Sequence, residues 1–464
     1  MRKILLLTLL SSTIGYPPAT ALALDFSGDN LPAPIVPSPQ TQKRKPLTDT
    51  FLNTLHTITP LEQEQRNSYA FDIINQSKLE LSGFTDSKFE KLWESLLQMT
   101  WLEDLNLANN ELILLPPTIG SLTNLKILNL SHNGLTSLPL SLAQLDKLQE
   151  INLAGNNLNQ GVDFLQNLKS LEKVDLSENK LVRFSYNSQD NFSLQKISLA
   201  RNALEFVEIQ SASPTFGKLD IQKNQITSFI LRAPSLTHLN LSDNPNTSIY
   251  PALFEFLPNL THLNMSFLLA EEMPDTIGSL LNLEELDISA NMLPILPQGM
   301  TKLTKLKKLN AERNHFTDIS PHLYALTNLV SLNLSSNELS TLPVELSISL
   351  ENLSNLNVSD NPIASVMEFV SPPALKNINL CGTMIEELPD GLKTKDITVE
   401  SLETPLFWRN IYYGKDNNEY MTISDEESDE EDDKSSISVF HSESEGESDL
   451  SDTDQKHIFL NAND

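Results

Sequence analysis

Leu102-Glu-Asp-Leu105-Asn-Leu107-Ala-Asn-Asn110-Glu-Leu112 sets leucines at its first, fourth, sixth and eleventh positions and an asparagine at its ninth. The spacing restarts at Leu125, Leu148, Leu171, Leu194, Phe216, Leu236, Leu260, Leu283, Leu306, Leu329, Leu353 and Leu375, which gives thirteen repeats set 20 to 24 residues apart. Each repeat is too short to bury an apolar face by itself, so neighbours must stack and share one continuous core. Within a repeat, Leu105 and Leu107 alternate with polar residues at period two, which predicts a short strand with leucines inward and the residues between them on an open face. Strands of successive repeats then pair in parallel. The following segment, Pro117-Thr-Ile119-Gly-Ser-Leu122 in the first repeat, returns along the opposite side and buries Ile119 and Leu122 on the same core.

The recurrent asparagine falls at a tight inward bend, where backbone groups need partners and an amide both donates and accepts. Asn110, Asn133, Asn156, Asn179, Asn202, Asn224 and Asn244 are therefore expected to form a ladder between turns. Leu268 replaces this residue in the eighth repeat and Thr383 in the last. The first replacement, together with the short spacing after Phe216, predicts a kink or change of curvature near residues 216–270.

These motifs, with Leu-Pro after the turn at Leu115-Pro116, Leu138-Pro139, Leu296-Pro297, Leu342-Pro343 and Leu388-Pro389, resemble the leucine-rich-repeat family. The likeness is to its class of about 23 residues, shared by Ras-suppressor-type proteins and secreted bacterial effectors, and it covers about 290 residues. It implies an α/β repeat solenoid, a horseshoe with a parallel concave sheet. It also implies a protein-binding function with no catalytic centre and no cofactor. Extracellular animal members usually carry disulfide-bonded caps. Cys381 is the only cysteine here, so a bacterial origin fits better.

On the open face, the central strand position reads Asn106, Asn129, Asn152, Asp175, Ser198, Asp220 and Asn240 in the first seven repeats, a run ascribed to the scaffold. The position before the second leucine varies more: Asp104, Ile127, Glu150, Lys173, Lys196, Lys218, His238, His262, Glu285 and Lys308. Parallel pairing sets Lys173, Lys196 and Lys218 side by side, with Arg201 and Lys223 at the far edge of the same strands. This basic stripe reads either as solvated surface or as a dock for an acidic segment. Phe267 reads as a large aromatic at an open-face strand position, beside His238 and His262. The two histidines with Glu285 fall at matching positions on three strands, within metal-ligand reach, although exposed polar side chains in contact with water are the simpler reading and no metal is assigned.

The flanks differ in composition. Arg2 and Lys3 followed by Ile4 to Leu10 and by Ala19, Ala21 and Ala23 read as a cleavable export signal spanning 1–23. The apolar run falls short of the roughly 20 residues a spanning helix needs. Five prolines predict an extended linker over 24–46. Residues 47–101 read as a helical cap, with Asp86 as N-cap and Phe89, Leu92, Trp93, Leu96 and Leu97 on one stripe. The repeats occupy 102–392, and 393–415 caps the far end with Phe407, Trp408, Ile411, Tyr412 and Tyr413. Residues 416–464 hold 17 Asp or Glu against two Lys, a net of −15 out of −29 for the whole chain, and read as a disordered serine-rich acidic tail.

Such acidity disfavours nucleic acid and anionic membranes as partners. No G-x-S-x-G, H-E-x-x-H, phosphate loop or paired-cysteine motif occurs. The reading is therefore a secreted monomeric scaffold, not an enzyme, that binds a protein partner, to be sought in a host. The alternatives are a periplasmic envelope protein and a binder whose own acidic tail occupies the stripe.

Overall fold

The computed structural model describes residues 39–366, 369–394 and 396–401. The export signal, the acidic segment 416–464 and the cluster from Phe407 to Tyr413 lie outside the described residues. A parallel sheet of fifteen strands runs through the molecule, thirteen of them from the repeats in sequence order. The other two extend it at each end: Lys78–Glu80 pairs with Asp104–Asn106, and Thr398–Glu400 pairs with Asn377–Asn379. Each repeat strand spans three residues, with the middle one buried, as at Leu128, Ile151 and Leu219. Leu79, Leu105 and their successors join one apolar core from end to end.

The first cap is built from three helices, α1 (Pro39–Ile58), α2 (Gln63–Phe71) and α3 (Asp86–Leu96). Two sequence expectations change here. Helix α1 begins inside the stretch read as extended linker and carries Pro46 within it. What holds the segment helical is tertiary: Phe51, Leu52 and Leu55 are buried in the core, and Arg44 donates to the Ile74 carbonyl and lies over the Trp101 ring. Helix α3 buries Phe89, Leu92 and Leu96 as expected, but its N-cap is Thr85. Asp86 stands in the first turn and its carboxylate accepts the Ile113 N–H of the first repeat.

The asparagine ladder forms. Asn133 donates to the Leu130 carbonyl of its own turn and the Leu107 carbonyl of the preceding one, and its Oδ1 accepts from the Leu112 N–H. The residue before each rung takes a left-handed backbone, from Asn109 at φ 57° to Asp360 at φ 54°, which is what turns the chain inward. Where Leu268 interrupts the ladder, the next rung compensates on one side: Asn291 Oδ1 accepts from both Leu268 and Ala270.

The sheet shows no break near residues 216–270, because Lys218 pairs with His238 and His238 with His262 in continuous register. The irregularity lies on the opposite side and begins earlier. Most repeats return through a short 3₁₀ turn, such as Pro117–Ser121, Asp275–Ser279 or Gln298–Lys302. Three consecutive repeats instead return as strands, Arg183–Ser188, Phe206–Ser211 and Ser228–Arg232, which pair in parallel as a second sheet. Their side chains alternate cleanly: Phe184, Tyr186, Val207, Ile209, Phe229 and Leu231 are buried, while Arg183, Ser185, Ile230 and Arg232 face outward. That alternation, without the proline that opens the 3₁₀ turns, favours extended backbone.

Candidate functional site

The open face bears a groove of about 500 Å³ whose lining includes Lys196, Lys218, His238, His262, Glu285 and Lys308. Strand register sets these residues in one row, starting with Lys173 beside Lys196 and Lys196 beside Lys218. The row is not uniformly charged. Lys173 is 2.6 Å from Glu150, and this partner raises the lysine pKa above its ordinary value. Lys308 is 2.7 Å from Glu285. Among the described residues, no carboxylate lies within 4.0 Å of Lys196 or Lys218, so their charges are left for a ligand.

Next in the row, the His238 and His262 rings stack with centroids 4.1 Å apart and planes 7° from parallel. His262 Nε2 lies 3.8 Å from Glu285 Oε1. Burial, then the neighbouring imidazole and the Lys218 ammonium, push the His238 pKa down from the usual imidazole range. A parallel stack does not converge two nitrogen lone pairs on a single point, and no group of three metal-ligating side chains is found among the described residues.

The central row is occupied with the backbone. Asn129 Oδ1 accepts the Ser131 N–H, Asp175 Oδ1 the Ser177 N–H and Asp220 Oδ1 the Gln222 N–H, each two residues on. These side chains start the inward bend, which is why Asn or Asp recurs there. Burial raises the Asp220 pKa from its ordinary value, against the hydrogen bonds from Gln222 and the Lys196 ammonium, which favour the carboxylate.

A family model described as leucine rich repeat matches residues 98–158, and a second of the same description matches 235–257. Among solved structures, a leucine-rich-repeat protein of Leptospira interrogans is 27% identical over 70% of this chain and 89% of its own, with a TM-score of 0.55. The chain is a leucine-rich-repeat protein. The fold also recurs in the functional domain of InlJ from Listeria monocytogenes, at 19% identity, TM-score 0.51, over 78% of this chain and 81% of that one. It recurs again in the Toll–Spatzle complex of Drosophila, at 22% identity, TM-score 0.58, over 67% of this chain and 44% of that one. No curated protein sequence matches the chain. Neither matching family model describes an enzyme, and no helix among the described residues is long and apolar enough to cross a membrane.

Within the leucine-rich-repeat frame, one of the residues singled out from sequence, Phe267, stands elsewhere than expected. Arg201, Lys223 and Phe267 all occupy the left-handed turn position before the ladder position, which Asn202, Asn224 and Leu268 fill, at φ 56°, 54° and 56°. They sit at the rim of the sheet, beyond the ends of strands Lys196–Ser198, Lys218–Asp220 and His262–Asn264. Arg201 is 2.9 Å from Glu178 one repeat back. Phe267 is therefore not a strand residue. It is 50% exposed at the turn and followed by Leu269, exposed to a similar extent and also left-handed. The misplacement came from strands only three residues long: the turn starts sooner than the sequence pattern suggests.

Proposed function

We propose that this leucine-rich-repeat protein is an exported scaffold that captures an acidic segment of a partner protein, of host origin, on the open face of its sheet. The observation that carries this reading is the unneutralised pair Lys196 and Lys218 at the floor of a groove in a chain of net charge −29. Exposed charges with a carboxylate already in contact offer a ligand little, whereas two adjacent ammonium groups without one gain on meeting an anion. The signal-like start of the sequence supports export, and the likeness to the Leptospira interrogans protein supports a bacterial origin. The chain's own Ser424-Asp-Glu-Glu-Ser-Asp-Glu-Glu-Asp-Asp433 is an acidic run of the same class and a natural competitor for partner binding. Deletion of residues 416–464 should then strengthen capture, and unchanged affinity would remove the competition.

The test is affinity capture of host proteins by the wild type and by the double variant Lys196→Glu, Lys218→Glu. Reversal of both charges is expected to weaken capture of an acidic partner on the order of a hundredfold, because like-charge juxtaposition costs several kcal/mol. The melting temperature should stay where it is, since both side chains are exposed. Lys173→Glu should matter less, its ammonium being already held by Glu150. Equal capture by wild type and double variant would sink the proposal. N-terminal sequencing of protein from the culture medium should show cleavage after Ala23.

A further inference from the structure

The imidazole pair extends the lysine row, and each ring holds its Nδ1 against a threonine hydroxyl. Thr237 Oγ1 lies 2.9 Å from the Gly217 carbonyl and 2.9 Å from His238 Nδ1. Thr261 Oγ1 likewise lies between the Thr237 carbonyl and His262 Nδ1, 2.8 Å from the ring nitrogen. In either tautomer a neutral imidazole keeps one unprotonated nitrogen. Each becomes a second donor and a cation on taking one proton.

We propose that His238 and His262 make capture of an acidic peptide segment proton-coupled, so that the groove holds its ligand more tightly as pH falls. This rests on the reading of Lys196 and Lys218 given above. The groups around the pair are Lys218 and Asp220 on the strand to one side, Glu284, Glu285 and Asp287 on the other, and Lys308 beyond, bonded to Glu285. Glu285 is the carboxylate that meets the pair, near His262, and it is shared with Lys308. On the His238 side the nearest charge in the row is the Lys218 ammonium, which resists a proton there. An anion laid across the row relieves that repulsion, so the complex binds more protons than the free protein. By linkage, affinity then rises as pH falls through the imidazole range and is lost as pH rises.

A polypeptide fits the site's chemistry. Strands about 4.8 Å apart spread four consecutive positions over about 14 Å, roughly four residues of an extended segment at about 3.4 Å each. Beside the row, Asn240 and Asn264 line the groove with Oδ1 engaged by Ser242 and Ser266. Their Nδ2 groups, which donate to no described residue, are placed to meet peptide carbonyls. Cations for carboxylates next to amide donors for carbonyls describe an acidic peptide.

An octaglutamate peptide titrated calorimetrically at about pH 7.5 and about pH 5.5, in buffers of differing ionisation heat, spans the range in which histidine changes charge. The full-length protein is expected to bind about tenfold more tightly at the lower pH, with net proton uptake, each coupled proton giving at most tenfold per pH unit. In the variant His238→Gln, His262→Gln the affinities at the two pH values should converge, with the melting temperature unchanged. Wild-type binding that does not respond to pH, or a gain that survives in this variant, overturns the proton coupling and leaves the lysine reading standing. Failure of the wild type to bind at either pH, or binding unaffected by Lys196→Gln, Lys218→Gln, overturns both. A heparin fragment that binds where the peptide does not overturns the assignment to a polypeptide.

Discussion

Asn244→Ala is expected to remove about 3 to 5 kcal/mol of stability, since each buried polar group left without a partner costs about 1 to 3 kcal/mol. The side chain is fully buried. Its Nδ2 donates to the carbonyls of Ile221, Leu241 and Ser242 at 3.0, 2.8 and 3.2 Å, and its Oδ1 accepts from the Ile226 N–H. Alanine strands the Ile226 donor between two repeats and strips one donor from each of three carbonyls, in a core that admits no replacement. The position also adjoins the ladder's gap, because Leu268 supplies no rung on the next turn. Urea unfolding measures the loss, and hydrogen exchange at the Ile226 amide should accelerate more than at amides several repeats away. Thr383→Ala is the matched control. Thr383 Oγ1 donates only to Leu380 within its own turn, so a cost of about 1 kcal/mol is expected there. Similar costs at both positions would show that the ladder does not couple repeats.

Gly299→Ala is expected to be as damaging for a different reason. The 3₁₀ turns Asp275–Ser279 and Gln298–Lys302 stack so closely on the outer side that a Cβ on Gly299 would collide with the Asp275 backbone carbonyl. The contact is also tied from the side, because Asp275 Oδ1 accepts the Gly299 N–H at 2.9 Å. Neither partner is a flexible side-chain end, so two backbone segments must separate. Overpacking of this kind costs about 1 to 3 kcal/mol, occasionally more, and the lost hydrogen bond adds about 1 kcal/mol. The check is a melting curve of the variant beside Gly161→Ala, whose glycine has no heavy atom within 4 Å of an added Cβ but carries φ 84°. A smaller loss in Gly299→Ala than in Gly161→Ala would mean that the stacked turns can part freely.

Much of this was legible in the sequence because the repeat ties side-chain identity to position. Period two within a strand decides which residues face out, and the constant interval decides which become neighbours, so Lys173, Lys196 and Lys218 could be set side by side before any coordinates. The quenching of Lys173 by Glu150 was legible in principle too, since both belong to the same row on adjacent strands. What stayed hidden depends on where the chain stops being periodic. The strand Lys78–Glu80 precedes the first full motif, and only Leu79 and Leu81 hint at it. Helix α1 depends on Arg44 reaching a carbonyl 30 residues away, which no local preference encodes. The rim position of Phe267 follows from backbone sign, and a phenylalanine ordinarily avoids that conformation. The contacts of the two imidazoles with the Thr237 and Thr261 hydroxyls needed the fold in place.

The second sheet has a consequence for the lysines. Strands Arg183–Ser188, Phe206–Ser211 and Ser228–Arg232 are the return segments of the repeats that carry Lys173, Lys196 and Lys218. A solenoid curves when its outer elements take more room per repeat than its inner strands, and parallel strands take about 4.8 Å wherever they lie. With strands on both sides, inner and outer arcs are equal in length and this section has no reason to bend. Lys196 and Lys218 therefore stand on a doubly laced stretch that works as a ruler: the spacing of their Cα atoms is set by backbone pitch on both sides of the core.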